Sequence, residues 1–260
     1  MKTTFANDCL VGRVILVTGA SQGIGRAVAE CYATHGATVV LLARNTRGLE
    51  VVYDRICALG GAEPAAIPLD LFTATENEFT QLAWVVEREL GRLDGIVHCA
   101  AYFHASSPLV NQTMDEWMNQ YRVNTVAPFA LTRACLPLLR QSEDASVLFV
   151  GETHGLHPGP FWGAFGASKA GLVYLTQVAA NEWDDIPHLR VNLLVPGPVN
   201  SPQRFRTHPG EDKSERANLD VLMPYFLYWM SEASKGKSGE IMELDLRTTV
   251  HPMEGETVCG

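Results

Sequence analysis

The chain has no Cys-x-x-Cys pair, no cluster of Lys and Arg, no internal repeat and no low-complexity tract, and no apolar run of the roughly 18 residues that a membrane span needs. Each absence excludes a class of function. The six cysteines, Cys9, Cys31, Cys57, Cys99, Cys135 and Cys259, are scattered, which speaks against a thiol redox pair or a zinc framework and for reduced core thiols. His154 and His157 lack a convincing third ligand, so no metal site is expected. The first residues, MKTTFANDCLVGR, lack the apolar stretch of a signal peptide, and a cytoplasmic protein is expected. Basic side chains number 20 against 29 acidic ones, a net charge of −9, which disfavours nucleic acid and anionic membrane surfaces as partners.

Apolar residues are plentiful, at 47% of the 260. That supports a large core, and the length suits a single α/β domain spanning 1–260. RVILVT (Arg13–Thr18) reads as a buried parallel strand and runs into TGASQGIG, after which a helix pattern extends from Ile24 to about His35. A strand, a glycine-rich turn and a helix in that order make a phosphate-binding loop. Gly19 allows the tight turn, Gly23 lets a pyrophosphate approach the backbone amides, and Gly25 permits close helix packing. Ser21 and Arg26 are further candidates for the phosphate. The second strand is ATVVLLA (Ala37–Ala43). An acidic residue near its end would select a ribose 2′-hydroxyl, but Arg44 and Asn45 follow instead. A guanidinium there suits a 2′-phosphate, which points to NADP(H) over NAD(H).

The alternation continues. Helices are expected at Thr46–Leu59 and Glu76–Leu90, and strands at Ala65–Leu69, ending at Asp70, and at Asp94–Cys99. One helix should run from the Thr113/Glu116 capping box to about Leu139 with Asn124 inside it. Strands at Ser146–Val150, Leu189–Val195 and Gly239–Leu244 enclose a helix from Phe161 to Trp183. The polar run Pro202–Asn218, with Arg204, Arg206, Glu211 and Lys213, suits a mobile lid at about 200–220. Tyr225, Phe226, Tyr228 and Trp229 read as core or subunit contacts. The whole pattern predicts a Rossmann-like, doubly wound parallel β-sheet flanked by helices.

The chain is organised around GETHGLHPGPFWGAFGASK, Gly151 to Lys169. Phe165 and Lys169 are four apart and share one helical face. With the TGxxxGxG form of the glycine loop, this stretch resembles the short-chain dehydrogenase/reductase family, and the resemblance covers roughly residues 12 to 245. In that family a Ser stands thirteen positions before a Tyr, and a Lys four positions after it. Lys169 is retained, Phe165 holds the Tyr position, and Glu152 (165 − 13 = 152) holds the Ser position. The resemblance implies further roles. Ile24 belongs to the cofactor loop, Asp70 contacts adenine, and Lys169 bonds the nicotinamide ribose. Asn124 holds a water in a relay towards Lys169. Pro196 and Gly197 form the turn beside the nicotinamide, and Val199 and Ser201 occupy positions that contact its carboxamide. His98 to Ala101 stand where the family has Asn-Asn-Ala-Gly, and only Ala100 matches. A homodimer or homotetramer is implied too, through the helices of Asn124 and Lys169, with Ala130, Leu131, Ala134, Leu172, Leu175 and Ala179 as its apolar contacts.

Carbonyl reduction needs a hydride and a proton. In the family the Tyr hydroxyl gives the proton and the Ser hydroxyl bonds the oxyanion. Phe165 has no proton to give, and an ionised Glu152 adds negative charge beside a developing anion. The leading expectation is therefore an NADP(H)-binding protein whose standard carbonyl/alcohol oxidoreductase activity is weak or absent. One alternative is an active oxidoreductase using Glu152, His154 or Tyr102 as the acid, with a buried, protonated Glu152 as one form of it. The other is a non-redox lyase or hydratase using Glu152 and His154. The lid and loop carry no motif that names a substrate.

Overall fold

Five consecutive buried residues form β1 (Val14–Thr18), the pattern of a strand covered on both faces. Among the described residues it lies between β2 and β4 as the third strand of a seven-stranded, all-parallel sheet in the order β3-β2-β1-β4-β5-β6-β7. The computed structural model describes residues 5–212 and 216–246, so Lys213 and Cys259 lie outside the described residues. Around β1 stand β2 (Thr38–Ala43), β3 (Ala65–Pro68), β4 (Gly95–His98), β5 (Ala145–Val150), β6 (Leu189–Val195) and β7 (Ile241–Glu243). Helices α1 (Gly23–Thr34), α2 (Thr46–Ala58) and α9 (Met223–Met230) cover one face. Helices α3 (Glu76–Leu90), α4 (Met114–Tyr121), α5 (Ala127–Gln141) and α7 (Gly163–Glu182) lie on the other side. This is the doubly wound, Rossmann-like sheet that the sequence predicts.

Strand order reverses between β1 and β4, which opens a crevice at their carboxyl ends. Asp94, 1% exposed just before β4, fastens the opposite end: its carboxylate accepts from Val14 N (2.8 Å) and from Arg92 Nε (2.8 Å). Arg13 and Arg190 close on Asp144 beside it.

The expected single helix over 113–139 is two helices. The Thr113/Glu116 capping box opens α4, but Arg122–Val126 forms a π-turn before α5 begins. Side-chain bonds from Asn124 to the loop after β4 hold that widened turn. The helix expected from Phe161 is preceded by a separate short one, α6 (Thr153–Leu156), which Glu152 caps by accepting from His154 N at 2.7 Å. The polar lid folds as α8 (Pro202–Thr207) followed by a turn, with Arg204 bidentate on Glu211 at 2.7 and 2.8 Å and Arg216 against the same carboxylate.

Two readings of burial need correction. Among the described cysteines only Cys135 is buried; Cys57 is exposed on the outward face of α2 and the others are half-buried. Four residues offered as subunit contacts, Ala130, Leu131, Leu172 and Ala179, are buried against the sheet, because the inner stripes of α5 and α7 are as apolar as the outer ones. The outward stripe is Val126, Phe129, Tyr174 and Val178, which with Thr125, Gly171 and Leu175 lines an apolar groove. Of the aromatics of α9, Phe226 and Trp229 are fully buried core, while Tyr225 and Tyr228 are half-buried against it.

Candidate active site

The crevice leads into one long pocket. At one end its walls are backbone. Gly19 (φ +68) lies so close to the strand-end loop that a Cβ there would sit 3.0 Å from Ala100 Cα, and a Cβ at Gly25 would sit 2.4 Å from Gly19 O. No side chain caps the first turn of α1, and no acidic residue stands in it, so its amides face the pocket through Gly23 and Ile24. Ala100 N donates to Thr18 Oγ1 at 3.1 Å and fixes the opposite lip.

Ser21 and Arg44 line the far end of the pocket with Asp70. Asn45 caps α2 by accepting from Gly48 N at 3.1 Å, and Gly48 lets that helix start close to Ser21, where a Cβ would meet Ser21 Cβ at 2.9 Å. Arg44 is exposed and turned into the pocket, whereas Arg26 pairs with Glu30 at 2.8 Å. Asp70 accepts from Phe72 N at 3.0 Å, which shapes the wall after β3.

The other end holds Lys169, Phe165 and Glu152. Lys169 is 3% exposed, and its Nζ donates to Val150 O at 2.9 Å. Burial pulls its pKa down to about 8 against the opposing pull of Glu152. Phe165, 2% exposed, meets Phe103 edge-to-face with ring centroids 5.2 Å apart. Glu152 is half-buried on the pocket wall. His154 Nδ1 lies 3.1 and 3.2 Å from its two oxygens, and the His154 ring stacks on Trp162 at 4.0 Å. Trp162 in turn faces His208 of the lid at 5.2 Å. Glu152, Phe165 and Lys169 line the same pocket, with His154 against Glu152; the sequence carries no signal for Phe103 or His208, which join them only through tertiary packing.

Other candidates take different places. His157 turns outward to Glu243 at 2.8 Å, away from His154. Asn124 is fully buried, with its Nδ2 donating to Tyr102 O and Ser168 Oγ (both 2.9 Å) and its Oδ1 accepting from Tyr102 N (2.7 Å). Its side chain therefore positions the loop. The Tyr102 hydroxyl lies 3.4 Å from His104, while its ring packs edge-on to Phe72. Desolvation pushes the Cys99 thiol up to about 12, which disfavours its thiolate form. His98 is 2% exposed, with Nε2 2.9 Å from Thr132 Oγ1, and burial drives its pKa to about 3. Pro196 and Gly197 line the pocket. A Cβ at Gly197 (φ +68) would meet Leu244 O at 2.8 Å. Val199 bridges to Ala217, and Ser201 caps α8, accepting from Arg204 N at 3.2 Å. Among the described residues no helix is long and apolar enough to cross a membrane.

A family model described as short chain dehydrogenase matches residues 13–211. An Escherichia coli K12 chain described as an uncharacterized oxidoreductase, YciK, is 38% identical over 232 residues, covering 89% of this chain and 91% of that one. A solved short chain dehydrogenase from Salmonella enterica serovar Typhi superposes with a TM-score of 0.90 at 36% identity, covering 93% of this chain and 99% of that one. An Escherichia coli CFT073 structure in complex with NADPH has a TM-score of 0.89 at 37% identity, covering 92% and 99%.

Proposed function

The chain belongs to the short-chain dehydrogenase family, and on that premise we propose that it binds NADP(H) in preference to NAD(H) while performing standard carbonyl reduction weakly or not at all. The observation that carries this reading is Phe165. Its ring stands four residues before Lys169, buried and packed on Phe103, with no hydroxyl to pass a proton.

The pocket fits a dinucleotide. The glycine cradle is one that a Cβ at Gly19 or Gly25 would fill, and the uncapped α1 terminus suits a pyrophosphate. Arg44 and Ser21 suit the 2′-phosphate, and Asp70 suits the adenine. The NADPH complex of the similar Escherichia coli CFT073 chain supports the same choice. When bound, the nicotinamide would supply hydride-transfer chemistry. Lys169 would hold the ribose beside it, while Asn124 keeps the Tyr102 loop in place. The chain acts as one domain whose segment at about 200–220 closes the pocket. It assembles as a homodimer or homotetramer through the outward apolar stripe of α5 and α7, where Phe129 is 43% and Tyr174 73% exposed.

Calorimetry with NADPH and NADH, followed by cofactor oxidation with a panel of ketones and aldehydes, tests the reading. Tighter NADPH binding with negligible turnover is expected. Equal affinities, no binding, or rapid turnover of ordinary ketones would overturn it. Light scattering at micromolar concentration should show more than a monomer. One observation favours a second reading, an active enzyme with a substitute acid: Glu152 and His154 form a hydrogen-bonded pair at the pocket wall. Turnover that disappears in Glu152→Gln or His154→Ala would select it.

A further inference from the structure

We propose that the substrate end of this pocket takes an organic cation, a protonated imine or amine, with Glu152 as its counter-ion and Phe103 and Phe165 as its aromatic walls. The inference rests on the cofactor-pocket reading above and adds the ligand class.

A site for a neutral carbonyl needs donors for an oxygen that becomes negative. The two positions altered here remove such donors and supply their electrostatic opposite. Glu152 brings a carboxylate, held in place by the His154 backbone N–H at 2.7 Å. The His154 ring flanks that carboxylate, with Nδ1 3.1 Å from one oxygen and 3.2 Å from the other. Phe165 and Phe103 both line the pocket, in edge-to-face contact at 5.2 Å, and aromatic rings attract a cation that stands over a face, most strongly where water is excluded.

Lys169 shares the pocket with Glu152 and attracts its charge from the buried side. Lys169 Nζ turns onto Val150 O, and Arg204 of the lid is held by Glu211. Exposed Arg206 lines the lid side, and Arg44 stands at the adenosine end. A protonated imine also suits the missing phenol. Its reduction by a dihydronicotinamide makes one C–H bond, the C=N π pair becomes the nitrogen lone pair, and the product is a neutral amine. No proton enters, so Phe165 withholds nothing that the step requires.

The test titrates N,N-dimethylpyrrolidinium, pyrrolidinium and cyclopentanone into the native protein, with and without saturating NADPH, by calorimetry. Both cations should bind at least tenfold more tightly than the ketone. Glu152→Gln, which can still cap α6, should erase that preference while melting at the native temperature. Equal binding of cation and ketone, or a preference that survives Glu152→Gln, overturns the proposal. NADPH binding is read separately: its failure sinks the cofactor reading, while a cation preference in the cofactor-free protein would still uphold this one.

Discussion

The two ends of the pocket are built from different materials. The dinucleotide end is made of backbone: φ-positive glycines, a bare helix terminus and a strand-end loop, held where Cβ atoms would collide. The substrate end is made of side-chain tips, and its character depends on which atoms those tips carry. Phe165 is buried there, four residues before Lys169 on the same helix. Binding geometry is thus tied to the backbone, while the chemistry of the other end depends on individual side chains.

The sharpest way to break that contrast is to rewrite the substrate end alone. Phe165→Tyr with Glu152→Ser supplies a phenol beside Lys169 and a neutral donor for an oxyanion. Turnover of a generic activated ketone should rise by about 10²–10⁴-fold, the contribution of a general acid. Phe165→Tyr alone should gain less, since Glu152 would still oppose the alkoxide. A double variant that binds NADPH and reduces nothing would place the defect in the HCAA segment after β4 instead.

A second test uses Lys169, which lies between the two ends. Its folded pKa of about 8 is below its unfolded value of about 10.4, so the unfolded state holds more protons in between. The stability carried by this group therefore rises with pH from about 8 to 10.4, by about 3 kcal/mol. The thiols of Cys135 and half-buried Cys99, both pushed up to about 12, act in the opposite sense. The effect is read as the difference between native and Lys169→Met unfolding curves across that range. A difference that does not vary with pH contradicts it.

At the dinucleotide end, Arg44→Ala should weaken NADPH by about 1.5–3 kcal/mol and leave NADH unchanged, if the charged hydrogen bond is made. Calorimetry with both cofactors decides it. Gly25→Ala should cost about 1–3 kcal/mol of stability, since its Cβ lands 2.4 Å from Gly19 O, a backbone atom that cannot swing aside. Denaturant unfolding measures that loss, and a neutral result would mean that the cradle is more yielding than its contacts indicate.

Much of the dinucleotide end was legible in the sequence because glycine spacing and strand–turn–helix order are local signals. Phe165 and Lys169 were legible for the same reason, as helical neighbours. The break at Arg122–Val126 was not, since its cause is Asn124 bonding Tyr102 and Ser168, residues distant in the chain. Nor could periodicity separate the inner from the outer stripe of α5, where Leu131 is buried and Phe129 exposed. Both are large and apolar, and only the sheet's position distinguishes them. His154 was foreseen beside Glu152, but its stacking on Trp162 depends on the turn at Phe161, where a non-glycine residue takes φ 74.

The approach of Gly19 to Ala100 also has a kinetic consequence. Thr18 and Ala100, which clasp the lip of the loop, are 82 positions apart, and β1 pairs with β4 only after the intervening chain has folded back. Loop closure must come before that contact contributes anything, and parallel pairings of this kind form slowly. The phosphate turn, written in eight consecutive letters, is therefore a late product of folding. A nascent chain that has emerged only as far as α2 carries the whole motif but not the lip that Ala100 supplies.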